Sequence, residues 1–118
     1  SAASDVYKRQ VYADGDTVFH AQLTFGSGMI MLGSASNQSA WSKHAALPDE
    51  VGGRQTQSAC VIVTDADAHY ARAKAAGARI VIDIADQDYG GRGYACADPE
   101  GYLWWFGSYD PWRTDHGQ

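Results

Sequence analysis

The chain has 118 residues, 45% of them apolar and 19% charged, with 9 basic against 14 acidic side chains for a formal charge of −5, which fits one globular domain able to bury a core. Scattered Lys and Arg under a net negative charge argue against a nucleic-acid partner, whose phosphates draw on clustered positive charge. No apolar run approaches the roughly 20 residues that span a bilayer and no signal-peptide pattern opens the chain, so the expected location is cytoplasmic, with no membrane partner.

Residues 1–10 carry no apolar period and read as a tail. The stretch Asp5-Val6-Tyr7-Lys8-Arg9-Gln10 also resembles the translated end of a transposon-based sequencing adapter, so a non-native tail that replaces the natural start is expected there, the alternative being an ordinary polar N-terminal strand or arm. Phe19, Ala21, Leu23 and Phe25 alternate with His20, Gln22 and Thr24, the period of a half-buried strand. The turn Phe25-Gly26-Ser27-Gly28 leads into Met29-Ile30-Met31-Leu32, so residues 18–33 read as a hairpin. Residues 34–57 are rich in small and polar side chains without a period and read as a long connection, of the kind that is functional or mobile.

Residues 58–63 predict a short apolar strand, and Thr64-Asp65 supplies capping oxygens for a helix running to about Ala76. Ala66, Tyr70, Ala73 and Gly77 share one narrow face of that helix, and Gly77 suits the left-handed position that ends it. Strands follow over 79–84, 93–97 and 102–107, with a polar loop over 85–91. In Asp98-Pro99-Glu100-Gly101, Pro sets φ at the first turn position and Gly takes the following φ > 0, as a type I turn with a bulge requires. That register pairs Asp98 with Tyr102 and Ala95 with Trp105, and places Tyr94, Cys96, Trp104 and Phe106 together on the other face.

Cys60 and Cys96 lie far apart in apolar segments, with no CxxC or His-rich spacing, and are expected as buried free thiols. His44, His69 and His116 have no mutual spacing that signals a site and are expected in solvated or structural roles. Ser34, Ser36, Ser39 and Ser42 lack a nucleophile motif.

The β-α-β-β-β order, the strand His20-Ala21-Gln22-Leu23, the element Tyr89-Gly90-Gly91-Arg92-Gly93-Tyr94 and the ending Asp98-Pro99-Glu100-Gly101-Tyr102-Leu103-Trp104 together resemble the vicinal oxygen chelate superfamily of glyoxalases, bleomycin-resistance proteins and extradiol dioxygenases. The resemblance implies an α+β fold of paired βαβββ modules whose curved mixed sheets enclose a cavity. Residues 11–112 would form that domain: a partial first module over 11–33, the connection over 34–57, a complete second module over 58–112, and a tail over 113–118. The opening strand and helix of the first module have no counterpart.

The metal enzymes of the superfamily use four ligands. Carried over by position, the first falls on the opening strand without a counterpart, and the other three fall on Met31, Ala59 and Trp105. None of these offers the carboxylate or imidazole that a divalent cation requires, so neither a metal site nor another cofactor is expected. The candidate ligand-binding residues are His20, Gln22, Tyr89, Arg92 and Trp105, and no catalytic residue is assigned. His20 and Gln22 share the polar face of their strand, which either meets solvent or lines the cavity. Tyr89 and Arg92 flank a Gly-Gly pair and could clamp an anionic group, or Arg92 could pair with Asp86 or Asp88 instead. Trp105 is expected on the cavity side. The function expected from the resemblance is metal-free binding of a small organic molecule by a homodimer. The rival reading is a metal-dependent lyase or dioxygenase of the same superfamily.

Overall fold

The computed structural model describes residues 7–36 and 40–113, with side chains from Val11 onward. Ser39, His116 and the adapter-like residues Asp5 and Val6 lie outside the described residues. Three strands, β1 (Tyr7–Asp14), β2 (Thr17–Phe25) and β3 (Gly28–Leu32), form an antiparallel sheet in the order β1-β2-β3. Strand β1 departs from the sequence reading, since its first residues, Tyr7–Gln10, were assigned to a tail. Pairing with β2, Tyr7 opposite Thr24 and Val11 opposite Ala21, supplies the backbone hydrogen bonds that the local sequence does not advertise.

Two 3₁₀ turns, Ser42–His44 and Pro48–Val51, interrupt the long connection. The Glu50 carboxylate accepts from the Leu47 N–H at 2.7 Å. Gln55 ties the connection to the second half: its amide nitrogen donates to the Gly101 carbonyl at 3.0 Å and its oxygen accepts from the Leu103 N–H at 3.2 Å. The second half is β4 (Ala59–Ile62), α1 (Ala66–Ala75), β5 (Arg79–Asp86), β6 (Arg92–Ala97) and β7 (Leu103–Gly107), with sheet order β4-β7-β6-β5. Strand β4 runs parallel to β7 and the other pairs are antiparallel. This is the complete βαβββ unit expected from the sequence, in an α+β fold of two sheets.

Helix α1 starts where Asp65 accepts from the Ala68 N–H at 3.0 Å, satisfying one of the first-turn donors. It ends at Gly77, whose φ of +88° only glycine adopts freely. Its buried residues are Ala66, His69 and Ala73, so the inward face includes a histidine that the small-residue pattern passed over. Small alanines let the helix approach the sheet, and Tyr94, Cys96 and Phe106 fill the space beneath with Val63. Tyr94 is fully buried, with its ring 5.6 Å from Phe106 and edge-on to Tyr70 at 5.1 Å. On the strand beyond, the Tyr70 hydroxyl donates to the Asp83 carboxylate.

The β6–β7 turn has the expected register, with Ala95 opposite Trp105 and Cys96 opposite Trp104. Asp98 organises it: Oδ1 accepts from the N–H groups of Glu100 (3.0 Å) and Tyr102 (2.9 Å), and Oδ2 accepts from the Trp104 indole N–H (3.0 Å). Gly101 takes φ +92°, the conformation the bulge needs. The radius of gyration is 15.9 Å and the extents are 48 × 31 × 28 Å, against about 13–14 Å for a compact chain of this length. The excess is the first sheet, in which only Ala21 is buried among the described side chains. It meets the second half through Phe25, which packs against the core cluster beneath α1.

Candidate functional site

Strand alternation divides the second sheet into two faces. Val61, Tyr94, Cys96, Trp104, Phe106, Ile80 and Ile84 belong to the helix-covered core. The register therefore puts Cys60, Ile62, Ile82, Gly93, Ala95, Leu103 and Trp105 on the face opposite α1. Among the described residues no layer covers that face: Ile62 is 40% and Ile82 53% exposed, Trp105 and Leu103 are half-buried, and Gly93 and Ala95 are buried. It is an apolar sheet surface with the Trp105 indole near its middle.

Tyr89 stands at the mouth of β6, edge-on to Tyr109 with centroids 5.2 Å apart. Burial, then the nearby Cys60 thiol and the Asp88 carboxylate, push its phenol above the ordinary tyrosine range. Cys60 is exposed and free, which corrects the expectation that both thiols are buried. The reason lies in the strand period: Val61 points to the core, so Cys60 and Ile62 point away. The same alternation in residues 58–63 was the signal available in the sequence. Cys96 is free and buried as expected, and burial pushes its thiol up.

Arg92 does not join this surface; it makes the pairing with Asp86 that the sequence reading weighed against an anion clamp. It shares the helix-side parity of Tyr94, and its guanidinium pairs with Asp86 at 3.0 Å and with Asp67 of α1 at 3.2 Å. Those two carboxylates, Asp86 first, raise its already high pKa. The side chain ties the helix start to the end of β5. His20 and Gln22 lie together on β2, their Nε2 atoms 3.4 Å apart, with the Tyr12 ring 6.4 Å from the imidazole. They belong to the first sheet, no strand of which pairs with a strand of the second among the described residues. Of the five candidates only His20 and Gln22 lie against each other; Trp105 lies on the open face of the second sheet, Tyr89 packs on Tyr109, and Arg92 is on the covered side.

The histidine that the structure does bury is His69, 2% exposed. Its Nδ1 shares a 2.6 Å hydrogen bond with the Tyr94 hydroxyl, and its ring lies 4.3 Å from Phe106. Burial drives the Tyr94 phenol far above its ordinary range, so it stays protonated and fixes the imidazole in a structural role. The helical spacing of Ala66, His69 and Ala73 was legible, but the chain's polar histidine gave no apolar signal there.

A family model described as the Glyoxalase/Bleomycin resistance protein/Dioxygenase superfamily matches residues 5–106. The chain belongs to this superfamily. Among solved structures, TioX from Micromonospora sp. ML1 is similar, with 29% identity and a TM-score of 0.68 over 96% of this chain and 84% of that one. UcmS2 is similar in fold at 13% identity, TM-score 0.67, over 88% and 80%. So is the genomically encoded fosfomycin resistance protein FosX from Listeria monocytogenes, at 12% identity and TM-score 0.63 over 93% and 78%. No curated protein matches the chain. The three positions onto which the resemblance carries metal ligands hold Met31, an exposed side chain of β3, Ala59, the first residue of β4, and Trp105. Without carboxylate or imidazole, these residues do not fit a divalent cation. Among the described residues no other group of three His, Cys, Asp or Glu is placed to hold one.

Proposed function

We propose that this superfamily member binds a small, flat organic molecule on the open face of its second sheet, without a metal, and retains it rather than transforming it. The observation that carries this reading is the exposed apolar face around Trp105, lying opposite the helix. An indole offers large contact area and a polar N–H at low entropy cost, the composition of many small-molecule sites. No residue on that face forms a base–nucleophile pair or a ligand set, which favours sequestration over turnover. His20 and Gln22 are the polar groups that the first sheet would contribute when the surface is closed by a second layer.

That second layer is a second copy of the chain. The first sheet presents Val11, Tyr12, Phe19, Met29, Ile30, Met31 and Leu32 exposed on both faces, more apolar surface than a monomer in water ordinarily leaves open. A homodimer in the cytoplasm is therefore the proposed working form; no helix among the described residues is long and apolar enough to cross a membrane. The test is a thermal-shift panel of fused-ring and single-ring compounds run in chelator. Saturable stabilisation of the unaltered protein by a flat aromatic compound, lost in Trp105→Ala, is expected. Stabilisation that appears only when a divalent metal is supplied would support the metal-dependent lyase or dioxygenase reading instead.

A further inference from the structure

Gly93 and Gly107 face each other directly across β6 and β7, and neither has a positive φ. The backbone conformation therefore does not call for glycine at either place, and glycine weakens a strand interior. What calls for it is the Trp105 ring. A Cβ on Gly93 would stand 2.4 Å from Cζ2 and 2.8 Å from Cε2 of Trp105, and a Cβ on Gly107 would stand 2.7 Å from its Nε1. The indole thus lies down across the glycine pair instead of standing off the sheet. It reaches the residue diagonally opposite on β6 and the residue two further along its own strand, both within range of a large aromatic side chain.

We infer that Gly93 and Gly107 are positioning residues, a paired-glycine seat that holds the Trp105 indole flat as a fixed floor for the ligand. This inference rests on the reading of Trp105 as the ligand surface and goes further by naming what fixes it and what it selects. A ring lying along the sheet presents its π-face outward, and a π-face held still favours flat ring systems that stack at little entropy cost. Aliphatic or globular ligands gain no such contact. The chain's negative charge adds a preference for a cationic ring, which the face of an indole also attracts.

The test uses the full chain labelled with fluorotryptophan, whose four tryptophans give separate fluorine resonances. The Trp105 resonance is identified by its loss in Trp105→Leu. Proflavine, a flat cationic fused-ring dye, is the probe. In Gly93→Ala and Gly107→Ala the Trp105 resonance is expected to move and broaden while that of Trp104, held by Asp98, stays. Proflavine binding should weaken by about tenfold. The pair Gly93→Ala/Trp105→Leu should regain the thermal stability that Gly93→Ala loses, because the clashing ring is gone, and should not regain proflavine binding. A Trp105 resonance unmoved in both alanine variants would overturn the seat. A resonance that moves with proflavine affinity unchanged would overturn the floor. Failure of the unaltered protein to bind any flat compound would count against the proposed function, with the resonance shifts still deciding the seat.

Discussion

Tyr94 shows how one side chain can join the helix to the sheet. Its phenol is buried against Phe106 and Tyr70 and shares a 2.6 Å hydrogen bond with His69. Tyr94→Phe keeps the ring and removes the hydroxyl, leaving the imidazole without that partner, and should cost about 1–3 kcal/mol in urea unfolding. The pH dependence follows from the same burial. A phenol whose pKa is raised on folding ionises first in the unfolded chain. Its contribution to stability is complete below the ordinary tyrosine range, near pH 10, and is lost as pH rises from there toward the folded value. Stability should therefore fall above about pH 10 in the unaltered protein, and the fall should be shallower in Tyr94→Phe. Asp98→Ala tests another single residue: it removes the acceptor for two turn N–H groups and the Trp104 indole, with an expected loss of about 2 kcal/mol in the same measurement. Arg92→Ala, by contrast, breaks exposed pairs with Asp67 and Asp86 and should leave ligand affinity unchanged.

At the scale of elements, the β6–β7 hairpin was legible because its turn chemistry is local. Gly101 supplies the φ that favours the bulged register over a two-residue loop pairing Tyr94 with Trp105, and the bulged register sorts Tyr94, Cys96, Trp104 and Phe106 from Ala95 and Trp105. Helix α1 was legible from its cap and its C-terminal glycine. Its inner face was read incompletely, because His69 is polar by type and apolar only by circumstance, its ring lying against Phe106. Ala73→Leu, at a position 1% exposed, should overpack the helix–sheet contact and cost about 1–3 kcal/mol by urea unfolding. Strand β1 was not legible in its first half, since residues 7–10 gain their structure from pairing with β2 and not from their own pattern. The face that carries Trp105 was legible, because it follows from the turn. For Arg92 the sequence left a ligand and neighbouring carboxylates both open, and only the fold brings Asp67 within reach.

For the whole molecule, the two sheets differ in how completely they are covered. Among the described residues the second has a helix on one face and an apolar surface with exposed Ile62 and Ile82 on the other; the first buries only Ala21, with Met31 63% exposed on its edge strand. A chain with this much uncovered apolar area is expected to associate. Light scattering on the eluting peak should give twice the chain mass of 12.7 kDa, and Met31→Asp should shift it toward the monomer by placing a charge in the contact. The central claim is that Trp105 holds a flat organic ligand without a metal. The most direct test is titration of the protein with proflavine in excess chelator, followed by dye fluorescence, for the unaltered chain and Trp105→Ala. Saturable binding that the substitution abolishes is the predicted result. Binding that needs an added divalent cation, or that survives the loss of the indole, would contradict the account.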